Sequence, residues 1–137
     1  MKEKILDAFA ELGFKLDQID ETCYGFSYEG AKYLSLFSDD DEDFLSISIP
    51  GIYDFEEKSP FTFIELTNKI NATLKYVKAY HSEKSIWLFY ERELMENDDL
   101  KTIISHMILH LDAAHMSSRK LLAEIKSSAD EENGDNE

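Results

Sequence analysis

From Leu100 to about Lys126 the chain carries apolar residues at helical spacing that cannot all face one way. Leu100, Ile104, Met107, Leu111, Ser118, Leu122 and Ile125 trace one stripe, with Ile103, Ala114 and Leu121 beside it. At about 100° per residue, Leu109 and Met116 project almost opposite that stripe. A helix that is apolar on two sides needs two apolar neighbours, and a single sheet can cover only one of them. With 137 residues there is room for about one domain core. Leu109 and Met116 are therefore expected to meet another molecule, and they are the candidate partner or dimer interface.

The rest of the chain supplies the sheet. Lys2 to Leu12 reads as a helix with Ile5, Leu6, Phe9 and Leu12 on one stripe, and Gly13 stands where a left-handed residue ends it. Phe14 to Glu21 reads as a connection. Thr22 to Tyr28 alternates as a strand, Glu29-Gly30 turns, and Lys32 to Ser38 returns. Phe44 to Ile49 points Leu45, Ile47 and Ile49 one way and Ser46 and Ser48 the other, toward a thinly covered side. Pro50-Gly51 is expected to stop that strand. Ser59-Pro60 starts a second helix, running to about Thr73, with Phe63, Leu66, Ile70 and Leu74 inward. Lys75 to His81 and Ser85 to Glu91 form a hairpin. Its second arm is apolar on both faces and is expected to be central and well covered. Asn97, Asp98 and Asp99 open the last helix. The expected fold class is α+β, an antiparallel sheet of about five strands with helices packed on one face, in the order α-β-β-β-α-β-β-α. Residues 1–126 form the single domain, and 127–137 an acidic tail without large apolar residues, expected to be disordered.

Charge narrows the function classes. Lys and Arg number 14 against 29 Asp and Glu, a net charge of -15. Such a chain is not expected to hold nucleic acid, whose phosphates need a cationic surface. No apolar run approaches the roughly 18 residues needed to cross a bilayer. The opening MKEKILDAFAEL mixes charge with apolar residues and does not read as a secretory signal, so the expected location is cytoplasmic.

The chemistry-bearing residues form no catalytic set. His106 and His110 share a helix side at the spacing of zinc-binding helices, but Met107 stands where HExxH needs glutamate. Asp39, Asp41 and Asp43 begin like a calcium loop that then fails at Phe44 and Pro50. Cys23 has no activating neighbour in sequence and reads as a small hydrophobe. No nucleophile elbow, Walker loop or dinucleotide glycine pattern occurs. No catalytic residue, metal ligand or cofactor is assigned, and the chain reads as a non-enzyme. Tyr24, Phe26, Tyr28, Tyr33, Tyr76, Tyr80, Trp87 and Tyr90 all fall on expected strands. Any of them on an uncovered face would suit peptide capture.

The element order, the acidic character and the segment Leu66-Thr67-Asn68-Lys69-Ile70-Asn71, followed by a hairpin ending in Ser85-Ile86-Trp87-Leu88-Phe89-Tyr90, resemble the YbjN family. That family is similar in fold to the class I chaperones of type III secretion. The resemblance covers roughly residues 1–126. It implies a chaperone-like or regulatory protein, and the secretion chaperones are typically acidic dimers that hold an extended client segment. The resulting expectation is a non-enzymatic protein-binding module with a protein or peptide client, acting as a homodimer. An acidic inhibitor or immunity-type protein for one basic partner is the alternative. A small metal-binding sensor or enzyme using His106 and His110 is the third reading.

Overall fold

The computed structural model describes residues 1–38, 40 and 43–135, with side chains as far as Asp130. Its elements are α1 (Lys2–Glu11), β1 (Asp17–Asp20), β2 (Cys23–Tyr28), β3 (Ala31–Leu36), β4 (Phe44–Asp54), α2 (Pro60–Thr73), β5 (Lys78–Ser82), β6 (Ser85–Glu93) and α3 (Leu100–Asp135). The strands form one sheet in the order β1-β2-β3-β4-β6-β5, and every neighbouring pair is antiparallel.

Local chemistry accounts for the element ends. After α1, Gly13 takes φ +92°, its N–H donates to Ala10 and the next N–H, of Phe14, donates to Phe9. These two bonds satisfy carbonyls that the helix leaves open, and the Phe9–Phe14 edge-to-face contact closes the motif. Pro60 opens α2, although the Ser59 hydroxyl makes no cap bond. Asp99 caps α3 by accepting from the Thr102 N–H and hydroxyl.

Three expectations about boundaries change. Asp17–Asp20, within the expected connection, is an edge strand, exposed throughout and joined to β2 through a bulge. Without apolar alternation, only backbone pairing marks it as a strand. Pro50-Gly51 does not end β4. The strand runs on to Asp54 through a register shift between Ile49 and Tyr53, with Gly51 at φ +59°. A bulge removes the need for an N–H at that point, which makes proline tolerable. The last helix passes Lys126 and runs to Asp135, so the acidic tail is helical as far as that residue; residues 136–137 lie outside the described residues. Ile125 is the last buried apolar residue of α3, so the described exposed residues beyond it add no core packing.

The core lies between the helices and one face of the sheet. Strand register assigns that face to Phe26, Tyr33, Leu45, Ile47, Ile49, Leu88, Tyr90 and Ala79. Phe9 of α1 packs on Phe26 with ring centroids 5.1 Å apart. Ile104, Met107, Ile108 and Leu111 of α3 are fully or almost fully buried against the sheet centre. Phe63, Leu66 and Ile70 anchor α2 beside β5. There Phe63 stacks on His81 at 4.2 Å, and the Asn71 amide bonds the Ala79 backbone twice, at 2.6 and 3.1 Å. Asn71 thereby occupies the outward N–H and C=O of Ala79 on edge strand β5, where a foreign strand could otherwise pair.

Candidate protein-binding surfaces

Leu109 and Met116 sit where their spacing places them. They are 55% and 54% exposed on the side of α3 turned away from the sheet, with exposed Ala113 between them. On the α2 side of this strip lies an aromatic cluster. His106 and His110 pack ring to ring at 4.0 Å, and both meet Tyr76 and Tyr90 edge-on. Tyr76 and Tyr90 stack nearly parallel, 2° apart in plane. Tyr76 is exposed and held at φ +68°, so the outer edge of the cluster is open to solvent. A shallow cavity of about 270 Å³ lies between Tyr76, His110, Ala113 and Ser117.

Burial, and then the neighbouring His106, lower the His110 pKa. His110 is therefore neutral at pH 7, which suits an apolar surface. Among the described residues no three His, Cys, Asp or Glu side chains come together as a ligand group. Asp39 and Asp41 of the calcium-like run lie outside the described residues. Desolvation, and then Asp20, push the Cys23 thiol above its ordinary pKa, the reverse of nucleophile activation.

The helix layer carries a second apolar strip that the sequence reading did not single out. Phe61 and Ile64 are 79% and 54% exposed on α2, opposite its buried stripe. With Asn68 and Ala72 they line a depression of about 450 Å³. The signal was available: positions 61, 64, 68 and 72 fall on one side at helical spacing.

Among the described residues no helix lies over the opposite face of the sheet. Leu34, Leu36, Ser46, Ser48, Trp87, Phe89 and Tyr80 point there, by alternation with their core-facing neighbours. This corrects the expectation that β6 is covered on both sides: Leu88 and Tyr90 are buried under α3, while Trp87 and Phe89 are only half-buried. Trp87 stacks on Phe89 at 6.0 Å, and Tyr80 meets Phe89 edge-on. Ser46 and Ser48 point away from the helices as expected, yet both are buried, because Leu34, Leu36 and Phe89 flank them.

No family model matches the sequence, and no curated protein matches it. Solved structures do match the fold, among them the following two. An uncharacterised protein from Methanothermobacter thermautotrophicus is 15% identical, with a TM-score of 0.64, over 90% of this chain and 96% of that one. YbjN from E. coli, described as a candidate transcription regulator, is 10% identical, with a TM-score of 0.64, over 90% of this chain and 93% of that one. The fold is YbjN-like. At these identities the likeness concerns architecture, the α+β sheet with helices on one face.

Proposed function

We propose that the chain is a non-enzymatic protein-binding module, chaperone-like or regulatory, that works in the cytoplasm as a homodimer joined through α3. One observation carries this reading: Leu109 and Met116 lie exposed on the same outward face of α3. Exposed together they form a patch that a monomer tends to avoid, and a two-fold axis across the helix lets each copy cover the other's patch. Ala113 between them allows close approach of the helices. Neutral His110 and the apolar ring of Tyr76 extend the surface without adding charge.

Light scattering on the full chain and on Leu109→Asp tests the dimer. A dimer is expected for the parent and a monomer for the variant, with the fold retained, since residue 109 touches no core. A parent chain that stays monomeric at high concentration, with the variant indistinguishable, would refute the reading.

A further inference from the structure

We propose that the uncovered face of the sheet binds an extended, basic polypeptide segment of a partner protein, with that segment's apolar side chains laid across the Leu34–Phe89 band and its lysines or arginines meeting Asp20 and Glu93. This rests on the reading of the chain as a protein-binding module and names the class of its partner.

Three observations support it. The first is an apolar band that crosses the sheet. Leu34 on β3, only 8% exposed, and half-buried Phe89 on β6 flank Ser48 on β4, and half-buried Trp87 and Leu36 and exposed Tyr80 widen the band. At the β1 end Ile19, 55% exposed, extends it. Its Cδ1 lies 3.4 Å from the point where a Cβ on Gly25 would sit, and 3.8 Å from there is a methyl of Leu34. Ile19 and Leu34 therefore close over the bare backbone of Gly25 from either side, which brings the β1 end of the band against β3.

The second is the charge at one end of this face. Asp20 pairs with Cys23 and Glu93 with Phe44, so both acids stand at open-face positions. Exposed Asp43, whose carbonyl accepts from the Leu94 N–H, adjoins Glu93. Thr22 donates to Asp20 through its N–H and its hydroxyl, at 2.8 and 2.9 Å, which keeps that carboxylate ionised. The open-face Glu91 is already tied to Lys78 at 2.7 Å. Lys32 lies toward the opposite end of β3. Exposed Lys15 and Lys32 border Ile19 together with Asp17, and Lys2 acts on Asp20, so the acid in excess lies toward Glu93 and Asp43, and the whole chain stands at -15. A cationic segment is complementary to it, whereas a second copy of this chain would set acid against acid. Stacked aromatic rings beside such carboxylates also suit a guanidinium group.

The third is the floor of the band. The hydroxyls of Ser46 and Ser48 are buried on this face with no hydrogen-bond partner among the described residues. An incoming backbone or side chain that displaces the flanking rings would find donors and acceptors there.

Trp87 is the only tryptophan, so its emission reports on this face alone. The test titrates the full chain with a synthetic peptide alternating leucine and arginine. Two controls alternate leucine with glutamate and serine with arginine. The expected result is a saturable Trp87 shift with the leucine–arginine peptide, weakened by salt and several-fold weaker in Glu93→Lys, an exposed change that spares the fold. Four results overturn the proposal: no shift, an equal shift with either control, an affinity unchanged in Glu93→Lys, or a Trp87 change that follows protein concentration without peptide. Light scattering on the same samples separates the two readings. A monomer that still binds the peptide defeats the α3 dimer alone, and a dimer that leaves Trp87 unmoved defeats the sheet-face site alone.

Discussion

The two sides of the sheet are built from the same strands and differ in what lies over them. Toward the helices, Leu88 and Ile47 are fully buried and Tyr90 packs on α3. Toward the other side, their neighbours Phe89 and Trp87 are half-buried, stacked on one another with Tyr80 edge-on to Phe89. The outward face of α3 makes the same contrast in a helix: Ile108 is buried, and Leu109, the next residue, is exposed. Adjacent residues of similar hydrophobicity therefore belong to different surfaces. What separates them is direction from the backbone, every second residue in a strand and about 100° per residue in a helix.

Paired substitutions on β6 probe that contrast most strongly. Leu88→Ala removes a fully buried side chain and is expected to lower stability by about 2–5 kcal/mol in urea unfolding. Phe89→Ala, one residue on, should lower it by about 1–2 kcal/mol, because less of its area leaves water on folding. Equal losses would mean that the open face behaves as core. Next in size is the sheet edge. Asn71→Ala leaves the outward N–H and C=O of Ala79 unpaired and should destabilise by about 1–2 kcal/mol; Asn71→Asp should restore only the bond from the Ala79 N–H.

Acidification acts more gently and on the helix side. Burial depresses the pKa of His110, helped by His106; burial and then Arg119 depress that of His115, with Asp112 opposing. The unfolded chain therefore takes up protons first as pH falls. Their contribution is complete above the ordinary histidine pKa of about 6.5 and declines as pH drops through it toward the lower folded values. Melting curves at pH 7.5 and 5.5 should show this loss, reduced in His115→Gln. The smallest effect is expected from ending the chain after Lys126. The described side chains that follow, Ser127 to Asp130, are exposed, so thermal stability should move by less than about 0.5 kcal/mol. We propose that this segment frays readily, and rapid amide exchange beyond residue 126 would check it.

Much of the architecture was legible from the residues. Gly13 ended α1, Ser59-Pro60 opened α2, and Asp99 opened α3, whereas the Asp98 carboxylate holds Arg92 and the Met95 N–H instead. The alternation of Phe44 to Ile49 sorted the two faces of the sheet correctly, although Ser46 and Ser48 are buried on theirs. β1 was not legible, because Asp17–Asp20 forms a strand only through bonds to β2. The passage of β4 through Pro50 was hidden for a similar reason: the bulge that tolerates proline is set by pairing with β6. Asn71 stood out as part of a resemblance, but its task at Ala79 required a partner eight residues on, across a turn.

The residues alone determined that Leu109 and Met116 must point away from the α3 core stripe, because a helix angle is a local property of the backbone. They also determined that β6 is apolar on both of its faces. Only the tertiary structure decided which of those faces the helices cover. Alternation along a strand defines two sides without ranking them, and the choice follows from where α1, α2 and α3 can pack together. That packing put Leu88 in the core and left Trp87 and Phe89 at the surface.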